Sequence, residues 1–366
     1  MGYEKKHILL FLLLYCCQVN SAAVSYSFSG GRFGDNLVAY LHAKWISYTH
    51  KIPLLYYPFP YSDELMMHTL EKRINDNALN KGKVFTQSPE IFKNINDLET
   101  YIVPYFSECL YEHDIVHNGH WIYFKVDWDD QNFHKEICKT IFPQDKSLLD
   151  FELPSNCPTL AIHMRTGKLY DRDLGQRNPL KSPPLEFYIQ QIEYLLDEID
   201  APCIYTYLFT DDPEPKDLAE KILHHLKDNS RIILEYREKD NSHDQNVLRD
   251  FFAMTKFDYM INPLSSFSMV VGRIGRPLIQ IMPKKFKKIS MDVAPDQKLA
   301  SSSQMYSLPS VMPDKRLAAH RSRRREYRRV VKRKNKKNEN VRQQPVTKSD
   351  EKIVITEVEI IRRERW

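Results

Sequence analysis

Between residues 159 and 282, short runs of apolar, β-branched and aromatic residues alternate with longer stretches that have apolar residues at helical spacing. The short runs predict strands at residues 159–163, 204–209, 232–236, 259–261 and 278–282. The stretches between them predict helices near residues 185–196, 216–226 and 244–256, the first of them starting at Ser182 and Pro183. Because parallel strands need a crossover between them, this alternation predicts an α/β fold with a parallel sheet.

The first half of the chain shows the same order of elements less clearly. Strands are predicted at residues 24–28, 53–57 and 101–103, with a helix capped by Asn36 and another at residues 130–141. A chain of 366 residues with 42% hydrophobic content is long enough for about two domains. We therefore predict two Rossmann-like halves that face a cleft, residues 24–150 and residues 151–285.

Residues 1–23 have the three parts of a signal peptide. Lys5 and Lys6 precede an apolar run at residues 8–17, and small residues follow at positions 21–23. The apolar run is shorter than the roughly 20 residues of an ordinary membrane-spanning helix. The sequence predicts an exported or membrane-associated protein, and a short anchor on a cytoplasmic protein is the alternative.

Residues 286–366 form a predicted basic appendage. Residues 315–342 contain fourteen Lys or Arg and two Glu, which favours contact with an anionic membrane or another polyanion over specific nucleic-acid recognition. Residues 352–361 alternate enough to form a strand, but the sequence shows no partner for it. Truncation near residue 310 is therefore expected to leave the fold intact.

Four cysteines remain once the leader is set aside: Cys109, Cys138, Cys157 and Cys203. Four cysteines permit three disulfide pairings. The alternative is that they are reduced and buried as small apolar side chains.

The first motif with chemical potential is the segment GGRFGDN at residues 30–36, between a predicted strand and a predicted helix. Glycines let backbone amides approach a ligand, and the start of a helix favours negative charge. The candidate ligand-binding residues here are Gly31, Arg32, Gly34 and Asn36. The alternative is a tight turn with a purely structural role.

The second motif is LAIHMRTG at residues 160–167. It places Arg165 at the end of a parallel strand, where α/β proteins bind their ligands. A guanidinium can bind a diphosphate with two hydrogen bonds and stabilise the charge that develops on it. The alternative is a strand-end arginine paired with a surface carboxylate.

Together with these motifs, three further blocks follow in order: PLEFY at residues 184–188, LFTDD at 208–212, and DFFAM at 250–254 with INPLSSFS at 261–268. The strand-end His-x-Arg, the Pro-x-x-x-Tyr helix start, the Phe-Thr-Asp-Asp strand end and the Ser-Ser-Phe-Ser loop resemble those of the fucosyltransferase superfamily. The resemblance is to the α1,2-, α1,6- and protein O-fucosyltransferases and covers roughly residues 24–285.

This resemblance implies a GT-B glycosyltransferase that transfers fucose from GDP-fucose to a glycan or protein hydroxyl, with inversion and without a metal or other cofactor. It implies that residues 151–285 hold the nucleotide sugar and that residues 24–150 face the acceptor. Arg165 would contact the β-phosphate. The residues that would support the nucleotide or bind phosphate are His163, Asp212, Asp250, Ser265, Ser266 and Ser268. Ser265 and Ser266 also precede a short predicted helix, which independently favours an anion there.

The sequence departs from the family at residues 165–168, which read RTGK where the family usually has Arg-Arg-x-Asp. Lys168, Arg172 or Arg177 would be the replacement for the missing cation. The departure leaves open a degenerate transferase that binds glycans or another partner after export. A GT-B transferase with another nucleotide sugar is also open.

An inverting transfer needs a base for the acceptor hydroxyl. Asp171 and Asp173 follow Arg165 and are the first candidates, with Asp35 behind them, although each also fits an ordinary loop carboxylate. A metal is not predicted: the DWD triplet at residues 127–129 and the histidines at positions 113, 117 and 120 are weak patterns.

Overall fold

The computed structural model describes residues 22–28, 31–84, 100–103, 115–117, 120–122, 126–167, 173–226, 230–290 and 351–363. The strands are β1 (Ala23–Tyr26), β2 (Leu55–Tyr56), β3 (Lys72–Arg73), β4 (Lys83–Val84), β5 (Thr100–Val103), β6 (Ile115–His117), β7 (His120–Ile122), β8 (Thr159–Met164), β9 (Ile204–Thr210), β10 (Ile232–Tyr236), β11 (Tyr259–Ile261), β12 (Ile279–Ser290) and β13 (Glu351–Arg362). The helices are α1 (Phe33–His50), α2 (Met67–Leu70), α3 (Asp76–Lys81), α4 (Gln131–Ile141), α5 (Leu174–Arg177), α6 (Leu185–Glu198), α7 (Pro215–His225), α8 (Val247–Met254) and α9 (Ser266–Gly275).

The larger sheet has six strands among the described residues, in the order β10-β9-β8-β11-β12-β13. The first five are paired in parallel. The β8–β9 register pairs Thr159 with Tyr205 and Met164 with Thr210. The carboxyl ends of these two strands therefore lie side by side, which places Arg165 and Asp211 on the same edge of the sheet. The predicted α/β class with a parallel sheet is confirmed.

A smaller parallel sheet lies in the first half of the chain. In the described ranges its order is β1-β5-β4, with Ala23 opposite Thr100 and Lys83 opposite Tyr101. β1 is buried along its whole length, as expected for a parallel strand that is covered on both faces.

Two hydrophobic clusters hold these layers together. The first contains residues from both predicted halves, among them Leu37, Phe133, Phe209 and Phe251. The second contains Leu160, Leu195 and Ile222, and it joins the larger sheet to α6 and α7. Helix α1, from the first half, thus packs in the same cluster as residues of β9 and α8, from the second half.

The chain divides into two compact units, residues 1–287 with 353–366, and residues 288–352. Both predicted halves lie within the first unit. Their arrangement as two lobes around a cleft stays a prediction. Of the second unit, the structure describes only the ends of β12 and β13.

The strand near the carboxyl terminus belongs to the larger sheet. β13 follows β12 in the strand order, and Ile355 and Val358 pack against the second cluster. The Arg363 backbone N–H donates to the Leu278 carbonyl at 2.8 Å. The predicted appendage at residues 286–366 therefore does not include β13, which a truncation near residue 310 would remove from the larger sheet.

Two predicted helix caps are wrong. α1 begins at Phe33 after Arg32, so Asn36 lies inside the first turn and is buried. α6 begins at Leu185 after Pro184, and the Ser182 hydroxyl donates instead to the Arg165 carbonyl at 2.7 Å. A contact with another element has in this case replaced a local cap.

One disulfide joins Cys157 to Cys203, with a Cα–Cα distance of 5.6 Å. It links the segments that enter β8 and β9. Cys138 is a free thiol, and Cys109 lies outside the described residues.

Candidate active site

A cavity of about 590 Å³ lies at the carboxyl ends of β8 and β9. Its walls include nine of the residues that the sequence predicts as site residues: Gly31, Arg32, Gly34, Asp35, His163, Arg165, Asp250, Ser265 and Ser266. Parallel α/β proteins bind ligands at this edge of the sheet. The structure therefore brings the glycine-rich segment and the His-x-Arg strand end to one site.

The amino-terminal ends of α1 and α9 meet at this cavity. The Ser266 hydroxyl donates to Asp35 Oδ1 at 2.7 Å, and the Arg32 backbone N–H donates to Asp35 Oδ2 at 3.2 Å. A Cβ on Gly34 would lie 2.5 Å from the Phe267 backbone nitrogen. Only glycine therefore allows the two helix ends to approach this closely.

Arg165 follows β8 directly and is half-buried. The Arg165 carbonyl accepts a hydrogen bond from the Ser182 hydroxyl. The backbone N–H of the next residue, Thr166, donates to Asp211 Oδ1 at 2.7 Å. Gly167 follows with a φ of 69°, in the left-handed region that favours glycine. The backbone that carries Arg165 is thus fixed by contacts from β9 and from the segment before α6.

His163 is a neutral imidazole at the cavity wall. Burial and the nearby Arg165 cation lower its pKa to about 3, and Asp211 opposes the shift. The imidazole lies 5.6 Å from the Phe267 ring, centroid to centroid. Its Nδ1 is buried and has no hydrogen-bond partner among the described residues. His163 therefore borders the cavity as an uncharged side chain.

Asp250 is held by an arginine that the sequence analysis missed. Arg237 donates to both carboxylate oxygens, at 2.6 and 2.9 Å. Burial raises the pKa of Asp250, and the Arg237 guanidinium opposes this shift. The Arg237–Asp250 pair fixes one side of the cavity. Arg237 follows β10 and Asp250 lies in α8, and no local sequence signal links the two positions.

Three predicted donor-binding residues lie behind the cavity wall. Asn36 Nδ2 donates to the Gly31 carbonyl at 3.4 Å, and Asp212 Oδ1 accepts from the Glu214 backbone N–H at 2.9 Å. The Ser268 hydroxyl is buried and donates to the Ser265 carbonyl at 3.3 Å. In the structure these side chains form hydrogen bonds with the backbone of the site. Their contact with a sugar donor stays a prediction.

The first candidate bases are not part of the described cavity. Asp171 lies outside the described residues, and Asp173 is an exposed residue at the start of α5 that does not line the cavity. Asp35 does line it. Asp35 is therefore the candidate base with the most direct structural support.

The residues predicted to replace the missing cation are not part of the described cavity either. Lys168 and Arg172 lie outside the described residues, and Arg177 is exposed and does not line the cavity. Lys181, which the sequence analysis missed, lines it together with Arg32.

A loop between β10 and α8 closes another side of the cavity with Ser242, His243, Asp244 and Gln245. The Tyr61 hydroxyl donates to the Asp244 carbonyl at 2.9 Å across 183 residues of sequence. Sequence reasoning missed this loop, because neither its length nor its composition shows where it lies.

The described residues contain no group of three or more His, Cys, Asp or Glu side chains that could hold a metal ion. In the DWD triplet, the Asp129 backbone N–H donates to Asp127 Oδ1 at 3.0 Å. His117 and His120 are opposite each other in the β6–β7 hairpin, and His113 lies outside the described residues.

No protein-family model and no curated protein matches the sequence. Several solved structures match over about 70% of the chain, each with a TM-score below 0.5. A structure of POFUT1 in complex with GDP is 14% identical, with 70% of this chain and 95% of that chain covered and a TM-score of 0.38. A mutant of Arabidopsis thaliana FUT1 in complex with GDP is 12% identical, with 71% and 69% covered and a TM-score of 0.46. NodZ α-1,6-fucosyltransferase soaked with GDP-fucose is 13% identical, with 72% and 94% covered and a TM-score of 0.40.

In the described part of the chain, no helix is long and apolar enough to cross a membrane. The predicted leader lies outside that part.

Proposed function

We propose that this protein is a glycosyltransferase that transfers fucose from GDP-fucose to a glycan or protein hydroxyl, with inversion and without a metal. One observation carries the proposal: the amino-terminal ends of α1 and α9 and the strand-end Arg165 converge on one cavity. The resemblance of the sequence motifs to fucosyltransferases adds the sugar and the nucleotide.

The cavity has the features of a diphosphate site. The first-turn N–H groups of a helix have no intrahelical partner, and the helix dipole adds positive potential there. Two such helix ends occur together, with the cations Arg32, Arg165 and Lys181 in the same wall. Asp35, Asp211, Asp244 and Asp250 lie in the same wall, so a diphosphate would be attracted by the local positive potential at Arg165, Lys181 and the helix ends and not by the net charge of the cavity.

Arg165 would stabilise the leaving group. As the bond between the sugar C1 and the β-phosphate oxygen breaks, its electron pair stays with GDP, and negative charge grows on that phosphate. A guanidinium held in place beforehand stabilises this charge more in the transition state than in the ground state. Lys181 and Arg32 would supply the charge that the missing second arginine provides in the family.

Asp35 would take the proton from the acceptor hydroxyl as the hydroxyl oxygen bonds to C1. It lies in the cavity, and two donors orient its carboxylate. Asp171 and Asp173 remain candidates for the same role in the loop after Arg165. Asp250, with Arg237, would keep the nucleotide side of the cavity in shape.

Thr166, in place of the second arginine, favours one competing function. A degenerate transferase would keep the nucleotide pocket or the glycan-binding surface but not the reaction. Another competing function is a transferase with a different nucleotide sugar, since phosphate contacts do not choose the sugar.

Calorimetric titration with GDP, GDP-fucose and UDP-glucose, together with release of GDP from GDP-fucose, separates these functions. The proposal predicts that GDP and GDP-fucose bind, that UDP-glucose binds more weakly, and that EDTA leaves binding and GDP release unchanged. GDP binding without release of GDP would favour the degenerate protein. Stronger binding of UDP-glucose than of GDP-fucose would exclude GDP-fucose as the donor.

The proposed location is outside the cytoplasm or on a membrane. The leader predicts export, and the Cys157–Cys203 disulfide fits an oxidising compartment. The basic segment at residues 315–342 would contact anionic lipid or another polyanion. Alkylation and mass measurement of the protein from its native cells would test this: both thiols alkylated without prior reduction would argue for the cytoplasm.

A further inference from the structure

His243 lines the candidate active site from the loop that joins β10 to α8. Hydrogen bonds hold this loop in place. Asn241 Nδ2 donates to the Arg237 carbonyl at 2.8 Å, and the Asp244 carbonyl accepts from the Tyr61 hydroxyl at 2.9 Å. A ligand in the cavity that contacts His243 would therefore not have to order the loop first, which lowers the cost of binding.

Among the described residues, the wall of this cavity has no surplus of permanent positive charge. Four aspartates line it, together with three Lys or Arg side chains. The diphosphate of a nucleotide sugar carries two negative charges, and Thr166 stands where the fucosyltransferases usually have a second arginine. A residue that becomes positive when the ligand binds would help to balance these charges. Histidine is the side chain whose unperturbed pKa lies closest to neutral pH.

Charged groups from several elements act on His243. Arg32 precedes α1, Arg165 follows β8 and Asp211 follows β9, while Asp244 is the next residue in the loop. Burial lowers the pKa of His243, the two arginines lower it further, and the two aspartates oppose the shift. His243 is therefore mostly neutral at pH 7. The other ionisable groups in the described wall are Asp35, Tyr61, His163, Lys181 and Asp250.

We propose that His243 is a further binding residue for the diphosphate, and that it takes up a proton from water when a nucleotide sugar binds. The inference rests on the proposed function, because that function brings a diphosphate to Arg165. In this step an imidazole nitrogen gains the proton and donates it in a hydrogen bond to a phosphate oxygen. Such a charge-assisted hydrogen bond is stronger than a neutral one. No other bond forms or breaks.

The two arginines explain why a bound diphosphate would favour the protonated form of His243. In the protein without ligand, the charges of Arg32 and Arg165 repel an imidazolium. Phosphate oxygens bound to these arginines would offset much of that repulsion and would attract the imidazolium directly. His163 differs, because a rise of about one to two units from its pKa of about 3 leaves it neutral near pH 7.

The proposal makes the affinity for a nucleotide sugar depend on pH in one direction. A ligand that raises the pKa of a group binds more tightly to the protonated protein, since the coupling between ligand and proton is reciprocal. The affinity should therefore rise as the pH falls through the pKa of His243 in the complex, and should level off below its pKa in the free protein. For a rise of about one to two units, we expect an increase of about tenfold between pH 8 and pH 6.

Calorimetric titration of the full chain with GDP-fucose and UDP-glucose tests this coupling. The phosphates of both probes exchange no proton between pH 6 and pH 8, so a proton that is taken up goes to the protein. We expect the parent to take up about half a proton at pH 6.5, measured from the binding enthalpies in two buffers of different ionisation enthalpy.

Three variants assign the proton, each with its melting temperature as a check on folding. His243→Gln should remove the proton uptake and the pH dependence. His243→Lys, which is charged throughout this range, should bind at pH 8 at least as tightly as the parent and should lose the pH dependence. His224→Gln is the matched control and should behave as the parent, because His224 is exposed in α7 and does not line the cavity.

The outcomes separate this inference from the proposed function. Binding of GDP-fucose without proton uptake, or with an uptake that persists in folded His243→Gln, would overturn the inference and leave the proposed function standing. So would an equal loss of affinity at pH 6 and pH 8 in His243→Gln. If His243→Gln unfolds, His243→Lys decides, because a pH dependence that it retains would also overturn the inference.

The two probes distinguish the remaining cases. Binding of UDP-glucose with an uptake that depends on His243, in a protein that does not bind GDP-fucose, would support the inference and overturn GDP-fucose as the donor. Binding of neither probe would overturn both.

Discussion

At Gly34, the backbones of two helix ends come within contact distance, and this closeness defines the anion-binding side of the cavity. The Gly34 to Phe267 approach leaves no room for a methyl group. Asp35 and Ser266, one residue away on either side, are joined by a hydrogen bond. A Cβ atom at position 34 is therefore expected to push the ends of α1 and α9 apart, so that their N–H groups no longer lie close enough to bind one ligand together.

We predict that Gly34→Ala lowers the free energy of unfolding by about 1 to 3 kcal/mol, because the added Cβ meets backbone rather than a movable side chain. GDP affinity should fall as well. Chemical denaturation and calorimetry measure the two effects. Gly175→Ala is the control, since its Cβ would meet nothing closer than the Ser182 carbonyl at 3.4 Å. Equal stability of both variants would show that the helix ends are free to separate.

The buried imidazole of His163 makes stability depend on pH. Its folded pKa is lowered to about 3 from 6.5, so the unfolded chain takes up a proton that the folded chain refuses. Stability is therefore lost as the pH falls from about 6.5 towards 3. Other groups with lowered pKa values, such as His134 and Asp130, also lose stability as the pH falls. We therefore predict that chemical denaturation shows a larger loss between pH 7 and pH 4.5 in the parent than in His163→Phe, by up to about 2 kcal/mol. Parallel losses in both proteins would contradict a buried neutral imidazole.

The site residues that lie within a contiguous sequence motif could be predicted. The order of elements places strand ends and helix starts at one edge of the sheet, and this accounts for Gly31, Arg32, Gly34, Arg165, Ser265 and Ser266. His163 could be predicted from the resemblance to the fucosyltransferases. Lys181, Arg237 and Tyr61 could not be found in this way. They come from loops, and contacts such as Tyr61 with Asp244, 183 residues apart, depend on tertiary packing.

At the scale of elements, the strands of the larger parallel sheet were the easiest to predict. β10 and β11 have the predicted bounds, residues 232–236 and 259–261, because their apolar runs end at turn residues. β12 extends to Ser290, well beyond the predicted end at residue 282. Its continuation is rich in exposed lysine, which gives no apolar signal, and Lys284 and Lys285 pair instead with Glu357 of β13.

Truncation after residue 350 is expected to lower stability, because it removes β13 from the larger sheet. The Ile355 and Val358 side chains that pack on the second cluster would be lost with it. Ile355→Ala alone should lower the free energy of unfolding by about 1 kcal/mol, since the side chain is only partly buried. Thr356→Ala, at an exposed position on the same strand, is the control. A truncated chain with the parent's melting temperature would show that β13 adds nothing to the fold.

At the scale of the whole molecule, the sequence predicted the α/β class from its alternation, and the motif order predicted which segments share a site. Both inferences hold because a parallel sheet forces every strand's carboxyl end to one edge. The role of the carboxyl-terminal strand could not be predicted in this way. It pairs with its neighbour across about sixty residues that lack a periodic pattern, and local composition carries no information about such a partner.

The central claim is that Arg165 stabilises the leaving GDP in the cavity formed by α1, α9 and the strand ends. The most direct measurement is the rate of GDP release from GDP-fucose by the parent, Arg165→Ala and Arg165→Lys, with the melting temperature of each. Arg177→Ala is the control, because Arg177 is exposed and does not line the cavity.

The account predicts that Arg165→Ala lowers the rate about 100- to 1000-fold with an unchanged melting temperature. Arg165→Lys should restore it only in part, because lysine cannot make the two-pronged contact. Arg177→Ala should match the parent. An Arg165→Ala protein that stays folded and releases GDP at the parent rate would contradict the account.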